Sequence, residues 1–304
     1  MQLSKSVELR SVSNQIDVLV VENDLAMAQI SLHGGHMLSF RPKSDNRERL
    51  WLSQDAVLDG TKAIRGGIPI CWPWFGDYLN KDHLGKDLPA HGYVRTKQWH
   101  VVDCVDFDAT TLITLKPETA ADQGLDGDAD LRLTVSIGNA LTVELTTKNI
   151  GAKAFEFGGA LHSYFNIEDI TQTQLHGLSG DYLDKTQSLF DKSFANKSSA
   201  DKSSIHKRSP HQITPEKYTF EKETDNIHLS LEQHFTISTT NFSIDVVSKG
   251  HDSIVVWNPW IEKSAAMTDM SAGGYQSMLC VESAITQGIT LAPNEQHSLI
   301  QTIQ

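Results

Sequence analysis

Short stretches in which apolar and polar residues alternate, separated by turn residues, recur along most of this chain. In the clearest example, residues 131–137 and 141–146 alternate strictly on either side of Gly138-Asn139. Alternation gives a strand one buried and one solvent-facing side, and a short turn containing glycine can join neighbouring strands. The pattern therefore predicts a β-hairpin, and residues 235–239 and 242–246 repeat it about Thr240-Asn241.

Further β-branched and aromatic stretches extend the pattern over the chain and predict strands at residues 16–22, 25–32, 37–41, 99–107, 111–115, 253–257, 276–282 and 298–303. The best helical candidates are the short segments 54–62 and 262–270. Because strands do not alternate with helices, we expect an all-β fold, a large antiparallel β-sandwich with a few short helices. We expect residues 1–304 to form it as a single domain.

The segment 64–95 breaks the strand pattern with glycine, proline and tryptophan. Prolines fix φ and remove donors, so we expect an ordered loop here. Its aromatic residues beside Arg65 and Arg95 suit a polar, anionic ligand such as a sugar phosphate. The alternative is a plug of aromatic side chains that closes one end of a sheet, with both arginines in solvent.

Composition limits the possible partners. The formal net charge of −12 argues against non-specific binding to nucleic acid or to an anionic membrane, so an anionic substrate must be held by local positive charge. The first ten residues lack a signal-peptide pattern, and we expect a cytoplasmic location. Three cysteines without a CxxC pair indicate reduced, buried thiols. The Ser/Lys-rich segment 185–212 is typical of a mobile surface loop.

Titratable side chains in strand and glycine contexts are the candidates for chemistry. His162 follows Gly158-Gly159, which permits a bulge that aims the next side chains into a cleft, although a hydrogen-bonded core histidine has the same pattern. Glu282 alternates with Cys280 onto an inward face, where it must be paired or protonated, unless it meets solvent at a strand end. His33 and His36 suggest a metal, but no set of ligands completes a site.

Several segments in this order resemble the hexose-6-phosphate mutarotases, the glucose-6-phosphate 1-epimerase branch of the aldose 1-epimerase family. They are Arg65-Gly66-Gly67-Ile68-Pro69, Trp72-Pro73-Trp74-Phe75-Gly76, His91-Gly92-Tyr93-Val94-Arg95, the segments 158–165 and 257–269, and Cys280-Val281-Glu282. The resemblance implies a large antiparallel β-sandwich. It also implies a reaction without cofactor or metal that interconverts the α and β anomers of hexose 6-phosphates.

The resemblance also implies roles for individual residues. Glu282 matches the general base, which takes the proton of the anomeric hydroxyl, and His162 matches the general acid, which protonates the ring oxygen. Arg65 and Arg95 match phosphate-binding positions; His91 and Asp269 match sugar contacts, and Trp257 matches a pocket wall. An acid and a base acting together predict a bell-shaped pH profile.

The sequence does not exclude three alternative functions. A non-catalytic carbohydrate-binding sandwich would not need both His162 and Glu282, and an epimerase of unphosphorylated aldoses would not need Arg65 and Arg95. A metal-dependent isomerase would contain a metal. We expect a monomer, and the sequence leaves open which hexose is preferred.

Overall fold

The computed structural model describes residues 2–13, 16–78, 88–187 and 212–304. Its strands are β1 Val7–Ser13, β2 Ile16–Glu22, β3 Ala26–Ser31, β4 His36–Pro42, β5 Ile70–Cys71, β6 Trp99–Phe107, β7 Thr110–Pro117, β8 Ala129–Ile137, β9 Leu141–Asn149, β10 Phe155–Leu161, β11 Tyr164–Asn166, β12 Gln174–His176, β13 Asp181–Asp184, β14 Gln212–Ile213, β15 Tyr218–Thr219, β16 Thr224–His228, β17 His234–Ser238, β18 Ser243–Lys249, β19 Ser253–Asn258, β20 Met278–Leu291 and β21 Gln296–Ile303. Within these residues, the α-helix α1 covers Trp260–Ala266, and short 3-10 helices cover Val94–Thr96, Ile170–Gln172 and Gly274–Ser277.

The strands form three antiparallel sheets. The first has the order β1-β2-β3-β4, and the largest has the order β15-β12-β17-β18-β21-β9-β8-β7-β6. The third has the order β14-β13-β16-β19-β20-β10-β5, and β11 also pairs with β20. The predicted antiparallel all-β sandwich is therefore confirmed.

One large apolar core takes side chains from all three sheets, among them Leu19, Val143 and Val281. Alternation is strict in β8 and β9, whose buried residues point to this core and whose other residues reach solvent. In contrast, every residue of β19 and the first eight of β20 are buried. The centre of the third sheet is thus covered on both faces, and the candidate site lies on the face away from the large core.

The alternation of apolar and polar residues predicted the positions of most strands, but not the first and last residue of each. The predicted hairpins are confirmed as β8–β9 and β17–β18. The strand predicted at 276–282 begins at Met278 and continues to Leu291, because its second half pairs with β10 beyond a register shift between Phe157 and Gly159.

The helix predictions need correction. The helix predicted at 262–270 begins earlier, at Trp260, and ends at Ala266. The helix predicted at 54–62 is wrong: this segment forms turns, because Leu52 pairs with Gly66 and the Asp59 side chain accepts hydrogen bonds from Thr61. Among the described residues, no helix is long and apolar enough to cross a membrane.

The segment 64–95 is largely irregular, as predicted, except for β5 and the 3-10 turn Val94–Thr96; residues 79–87 lie outside the described part. Most of the predicted loop 185–212 also lies outside the described residues. The cysteine prediction holds for Cys71 and Cys280, which are buried free thiols, but Cys104 is only half-buried because it lies on the edge strand β6.

Candidate active site

A break between β10 and β11 places His162 opposite Glu282. Both strands pair with β20, β10 through Leu161 with Ser283 and β11 through Tyr164 with Cys280. His162 lies in the gap between them, and its amide donates to the Pro69 carbonyl at 3.1 Å. The register between β10 and β20 does shift between Phe157 and Gly159, but the extra residues, 286–288, lie on β20 and not at Gly158-Gly159, where the bulge was predicted.

The two titratable side chains approach closely in a buried setting. His162 Nδ1 lies 3.3 Å from Glu282 Oε1, and the residues are 8% and 1% exposed. The contact does not have the alignment of a hydrogen bond: His162 Nδ1 and Glu282 Oε2 are without a hydrogen-bond partner among the described residues. Buried polar atoms are normally paired, so these two point to a ligand that would satisfy them.

Aromatic side chains hold the His162 ring. Tyr164 stacks on it at a centroid distance of 4.9 Å and an interplanar angle of 9°, and Trp257 meets it edge-on at 6.2 Å. His91 approaches from another side at 5.5 Å. These contacts restrict rotation of the imidazole and leave its orientation set before any ligand binds.

Arg65 is fixed by side chains that are distant in sequence. Its Nη1 donates to Tyr164 Oη at 2.9 Å, and its Nη2 donates to Asp269 Oδ2 at 3.2 Å. Tyr164 thus connects the arginine to His162, on which its ring stacks. Asp269, expected as a sugar contact, has its carboxylate on Arg65 in this structure.

The two histidines that suggested a metal hold the Arg65 loop instead. His36 Nε2 donates to the Gly66 carbonyl at 2.7 Å, and His33 Nε2 donates to the Lys62 carbonyl at 3.1 Å. Carbonyl oxygens only accept, so these contacts fix the tautomer of each ring. Complete burial lowers the pKa of His36 to about 3, which keeps it neutral.

His91 and Arg95 come from the other end of the Gly/Pro-rich segment. His91 has a φ of 64°, and its Nδ1 accepts a hydrogen bond from the Gly76 amide at 3.3 Å. Arg95 lies in the 3-10 turn Val94–Thr96, and its Nη2 donates to the Ala90 carbonyl at 2.7 Å. Burial, followed by the charges of Arg95, Lys185 and Arg65, lowers the pKa of His91 to about 3.

Burial dominates the protonation of the central pair. It raises the pKa of Glu282 well above its ordinary 4.5, the Asp225 carboxylate raises it further, and Lys185 and Arg95 oppose the shift. Burial also lowers the pKa of His162 well below 6.5, helped by His91, Arg95 and Arg65. Both groups therefore favour their neutral forms, with a single proton between them on the carboxyl.

The family is decided by sequence comparison. The aldose 1-epimerase family model matches residues 17–304. This chain belongs to the aldose 1-epimerase family. A Salmonella typhimurium protein described as a "putative glucose-6-phosphate 1-epimerase" is 31% identical over 295 residues, which cover 95% of this chain and 90% of that protein. The predicted isomerase class is confirmed, and it removes the non-catalytic sandwich from the candidates.

Solved structures agree with this assignment. The crystal structure of a "putative mutarotase" from Salmonella typhimurium superposes with a TM-score of 0.84 at 29% identity, over 99% of this chain and 94% of that chain. A galactose mutarotase-like protein from Lactobacillus casei has the same fold, with a TM-score of 0.67 at 16% identity over 94% of this chain and 99% of that one. The fold of this epimerase is thus the galactose mutarotase-like sandwich.

The structure gathers the seven residues singled out in the sequence around the central strands β19 and β20 of the third sheet. His162, Glu282, Arg65, Asp269, Trp257 and His91 are linked through direct or shared contacts, and Arg95 lies close enough for its charge to act on both His91 and His162.

Two further residues at the site were missed by sequence analysis. Lys185 Nζ lies 3.3 Å from the Asp225 carboxylate, and both charges act on Glu282. Asp225 is directly across from Trp257 in β19, which is itself across from Cys280 in β20. The available signal was the alternation from Ile227 back to Asp225.

Proposed function

We propose that this epimerase interconverts the α and β anomers of hexose 6-phosphates, with glucose 6-phosphate as the reference substrate. The observation that carries the proposal is the buried pair of His162 Nδ1 and Glu282 Oε1, 3.3 Å apart, with one nitrogen and one oxygen left unpartnered within the described residues. Opening a cyclic hemiacetal requires one group to take a proton and another to give one, and this pair supplies both.

In the proposed mechanism, Glu282 as carboxylate takes the proton of the anomeric hydroxyl while protonated His162 gives its proton to the ring oxygen. The C1–O5 bond breaks and the aldehyde forms, leaving a neutral carboxyl and a neutral imidazole. Rotation about C1–C2 exposes the other face of the aldehyde. Reclosure reverses both transfers: His162 takes the proton of O5, and Glu282 returns its proton to O1.

The pair of Glu282 and His162 holds one proton throughout this cycle. The proton is on His162 while the sugar is closed and on Glu282 while it is open. The neutral pair, which burial favours in the structure, is also the pair that exists while the sugar is open. Arg65 and Arg95 disfavour the imidazolium, whereas Arg95 and Lys185 favour the carboxylate. Because the charges act on a shared proton, the pair titrates with two macroscopic pKa values and the rate should be bell-shaped in pH.

Phosphate recognition is assigned to Arg65 and Arg95. A guanidinium can donate two parallel hydrogen bonds to a phosphate, and Arg65 is already oriented by Tyr164 and Asp269. Together with Lys185, these arginines give local positive charge in a chain whose formal net charge is −12. The Salmonella relative described as a glucose-6-phosphate 1-epimerase supports the same substrate class.

The remaining assignments complete the proposal. His91 and Asp269 are assigned to sugar hydroxyls and Trp257 to a wall of the pocket, in line with their positions around His162 and Arg65. The cytoplasmic location and the monomeric state stay predictions from the sequence.

Saturation-transfer NMR at the anomeric protons tests the function directly. We expect wild-type protein to accelerate α/β exchange of glucose 6-phosphate and the Glu282→Gln variant to leave it at the spontaneous rate, because an amide cannot act as the base. Equal acceleration of free glucose would show a general aldose epimerase. Loss of the rate on treatment with a chelator, restored by added metal, would show a metal-dependent isomerase.

A further inference from the structure

Three donor atoms of different chemistry converge at the centre of the site. A ring nitrogen of His162, Cys280 Sγ and a carboxylate oxygen of Glu282 all lie within 4.8 Å of one another, and all three residues are buried. We propose that this triad is an inhibitory binding site for a thiophilic divalent cation of the Zn²⁺ class, which competes with the sugar. Only the inhibition rests on the proposed function; the binding does not.

The spacing matches a tetrahedral zinc site after a small adjustment. Zinc lies about 2.0–2.3 Å from nitrogen, oxygen and sulfur ligands, so neighbouring ligand atoms of a tetrahedron are about 3.3–3.6 Å apart. His162 Nδ1 and Glu282 Oε1 are already 3.3 Å apart. The wider limit of 4.8 Å requires side-chain movement of about an ångström, which χ rotation of Glu282 or Cys280 can supply.

Two atoms of the triad are free to bind a cation, unlike the atoms of a cluster in which polar side chains bond one another. His162 Nδ1 and Glu282 Oε2 are buried and lack hydrogen-bond partners in the described part of the chain. Their residues are 8% and 1% exposed, so solvent does not satisfy them either. A cation would give both atoms the partner that the described residues do not provide.

The backbone fixes the triad. Cys280 pairs with Trp257 of β19 on one side and with Tyr164 of β11 on the other, so its Cα is held in the middle of a sheet. Glu282 is two residues further along the same strand and on the same face. Stacking on Tyr164 orients the His162 ring. Three protein ligands leave the fourth tetrahedral position for water, as in catalytic zinc sites.

The donor set also predicts which cations bind. Thiolate and imidazole favour Zn²⁺ and Co²⁺, whereas Mg²⁺ prefers six oxygen ligands that this triad does not provide. Binding moves no electrons: the thiol proton of Cys280, and any proton on Glu282, pass to solvent as the metal–ligand bonds form. Arg65, Arg95 and Lys185 oppose a cation here, and Asp225 favours it, so we expect moderate affinity.

Competition with the sugar follows from the shared atoms. The cation uses the imidazole nitrogen and the carboxylate oxygen that the proposed mechanism needs for proton transfer. A bound cation therefore blocks the reaction, and a bound sugar phosphate blocks the cation.

Titration with Co²⁺, followed by absorption, tests binding without using activity. We expect one equivalent to produce the near-ultraviolet thiolate-to-cobalt charge-transfer band, and excess Zn²⁺ or glucose 6-phosphate to remove it. Cys280→Ser should abolish the band, whereas Cys104→Ser, at the half-buried thiol on β6, should retain it. Absence of the band, or its persistence in Cys280→Ser, would overturn the site.

Inhibition is measured in the same proteins by anomeric exchange of glucose 6-phosphate, each variant relative to its own rate without metal. We expect competitive inhibition by Zn²⁺, none by Mg²⁺, and an inhibition constant raised about tenfold or more in Cys280→Ser. Acceleration by Zn²⁺ would overturn an inhibitory role. A cobalt band in a protein without mutarotase activity would retain the cation site and refute the proposed function instead.

Discussion

Glu282 combines almost complete burial with a carboxyl oxygen that has no hydrogen-bond partner among the described residues, so its protonation should affect folding. Burial raises the pKa of Glu282 in the folded state, so the native protein binds this proton more tightly than the unfolded chain. Stability from this group is present below the unfolded value of about 4.5 and is lost as pH rises toward the folded value.

Glu282→Gln should therefore stabilise the protein in a pH-dependent manner. The amide stays neutral, so we expect little difference from wild type at pH 4.5 and a gain of more than about 1 kcal/mol at pH 7.5, since each pKa unit is worth about 1.4 kcal/mol. Urea unfolding at both pH values measures the gain. An equal gain in stability at pH 4.5 and pH 7.5 would show that ionisation of Glu282 does not affect the stability of the wild-type protein.

Arg65 should decide selectivity for the phosphate group. Replacing it by alanine removes charge-assisted hydrogen bonds worth about 1.5–3 kcal/mol, so kcat/KM for glucose 6-phosphate should fall about 10- to 150-fold. Exchange of free glucose should change much less. Arg132→Ala, on a side chain that is 53% exposed, is the matched control. Equal losses for both sugars in Arg65→Ala would remove the phosphate role.

At the scale of elements, the loop that presents Arg65 depends on glycine. Gly67 has a φ of 61°, and a Cβ there would lie 2.0 Å from the Met37 carbonyl oxygen, in the backbone of β4. The Gly67 amide also donates to Trp51, and its carbonyl accepts from Tyr164. The loop is thus held by Trp51 and by Tyr164, whose side chain also contacts Arg65, and it cannot move away to admit a methyl group.

Gly67→Ala should consequently cost more than about 3 kcal/mol of stability, because the backbone clash adds to the left-handed conformation. Gly180→Ala is a control for conformation alone: its φ is 76°, and a Cβ there meets nothing within 4 Å, so we expect about 1–2 kcal/mol. Thermal unfolding of both variants measures the difference. Similar losses would show that the close approach to Met37 is relieved without cost.

Sequence patterns predicted the elements whose structure is determined within a short segment of the chain. The hairpin of β8 and β9 has strict alternation and a three-residue turn, both contained in one short segment. The segment 54–62 has some helical pattern, but pairing of Leu52 with Gly66 and the turn at Asp59 prevail over it. Tertiary pairing of this kind leaves no local signal.

For the site, the sequence predicted some of the residues but not their arrangement in space. His162 and Glu282 were found because each is polar within a buried strand pattern and because their segments resemble a known family. Their separation of 3.3 Å depends on the register of three strands, which the sequence does not reveal. Lys185 and Asp225 were missed for the same reason, since only pairing through β13, β16, β19 and β20 brings them to Glu282.

At the scale of the whole molecule, one apolar core joins the three sheets, and the single domain stays a prediction from the sequence. The formal net charge of −12 disfavours an anionic substrate at long range. Close to the site, the local charge is positive, because Arg65, Arg95 and Lys185 lie there. Their charges contribute to the lowered pKa of His91. Charges distant in sequence therefore determine together how the central pair titrates.

Lys185 and Asp225 should shift the pH profile in opposite directions. Lys185 lowers the pKa of Glu282 and Asp225 raises it, so Lys185→Gln should move both limbs of the bell to higher pH and Asp225→Asn should move both to lower pH. The double variant has the same net charge as wild type and should return close to the wild-type profile. Anomeric exchange of glucose 6-phosphate, measured between pH 4 and pH 10 for all four proteins, provides the profiles. Shifts in the same direction would mean that the variants act through structure, whereas opposite shifts that cancel in the double variant would establish an electrostatic effect on the pair.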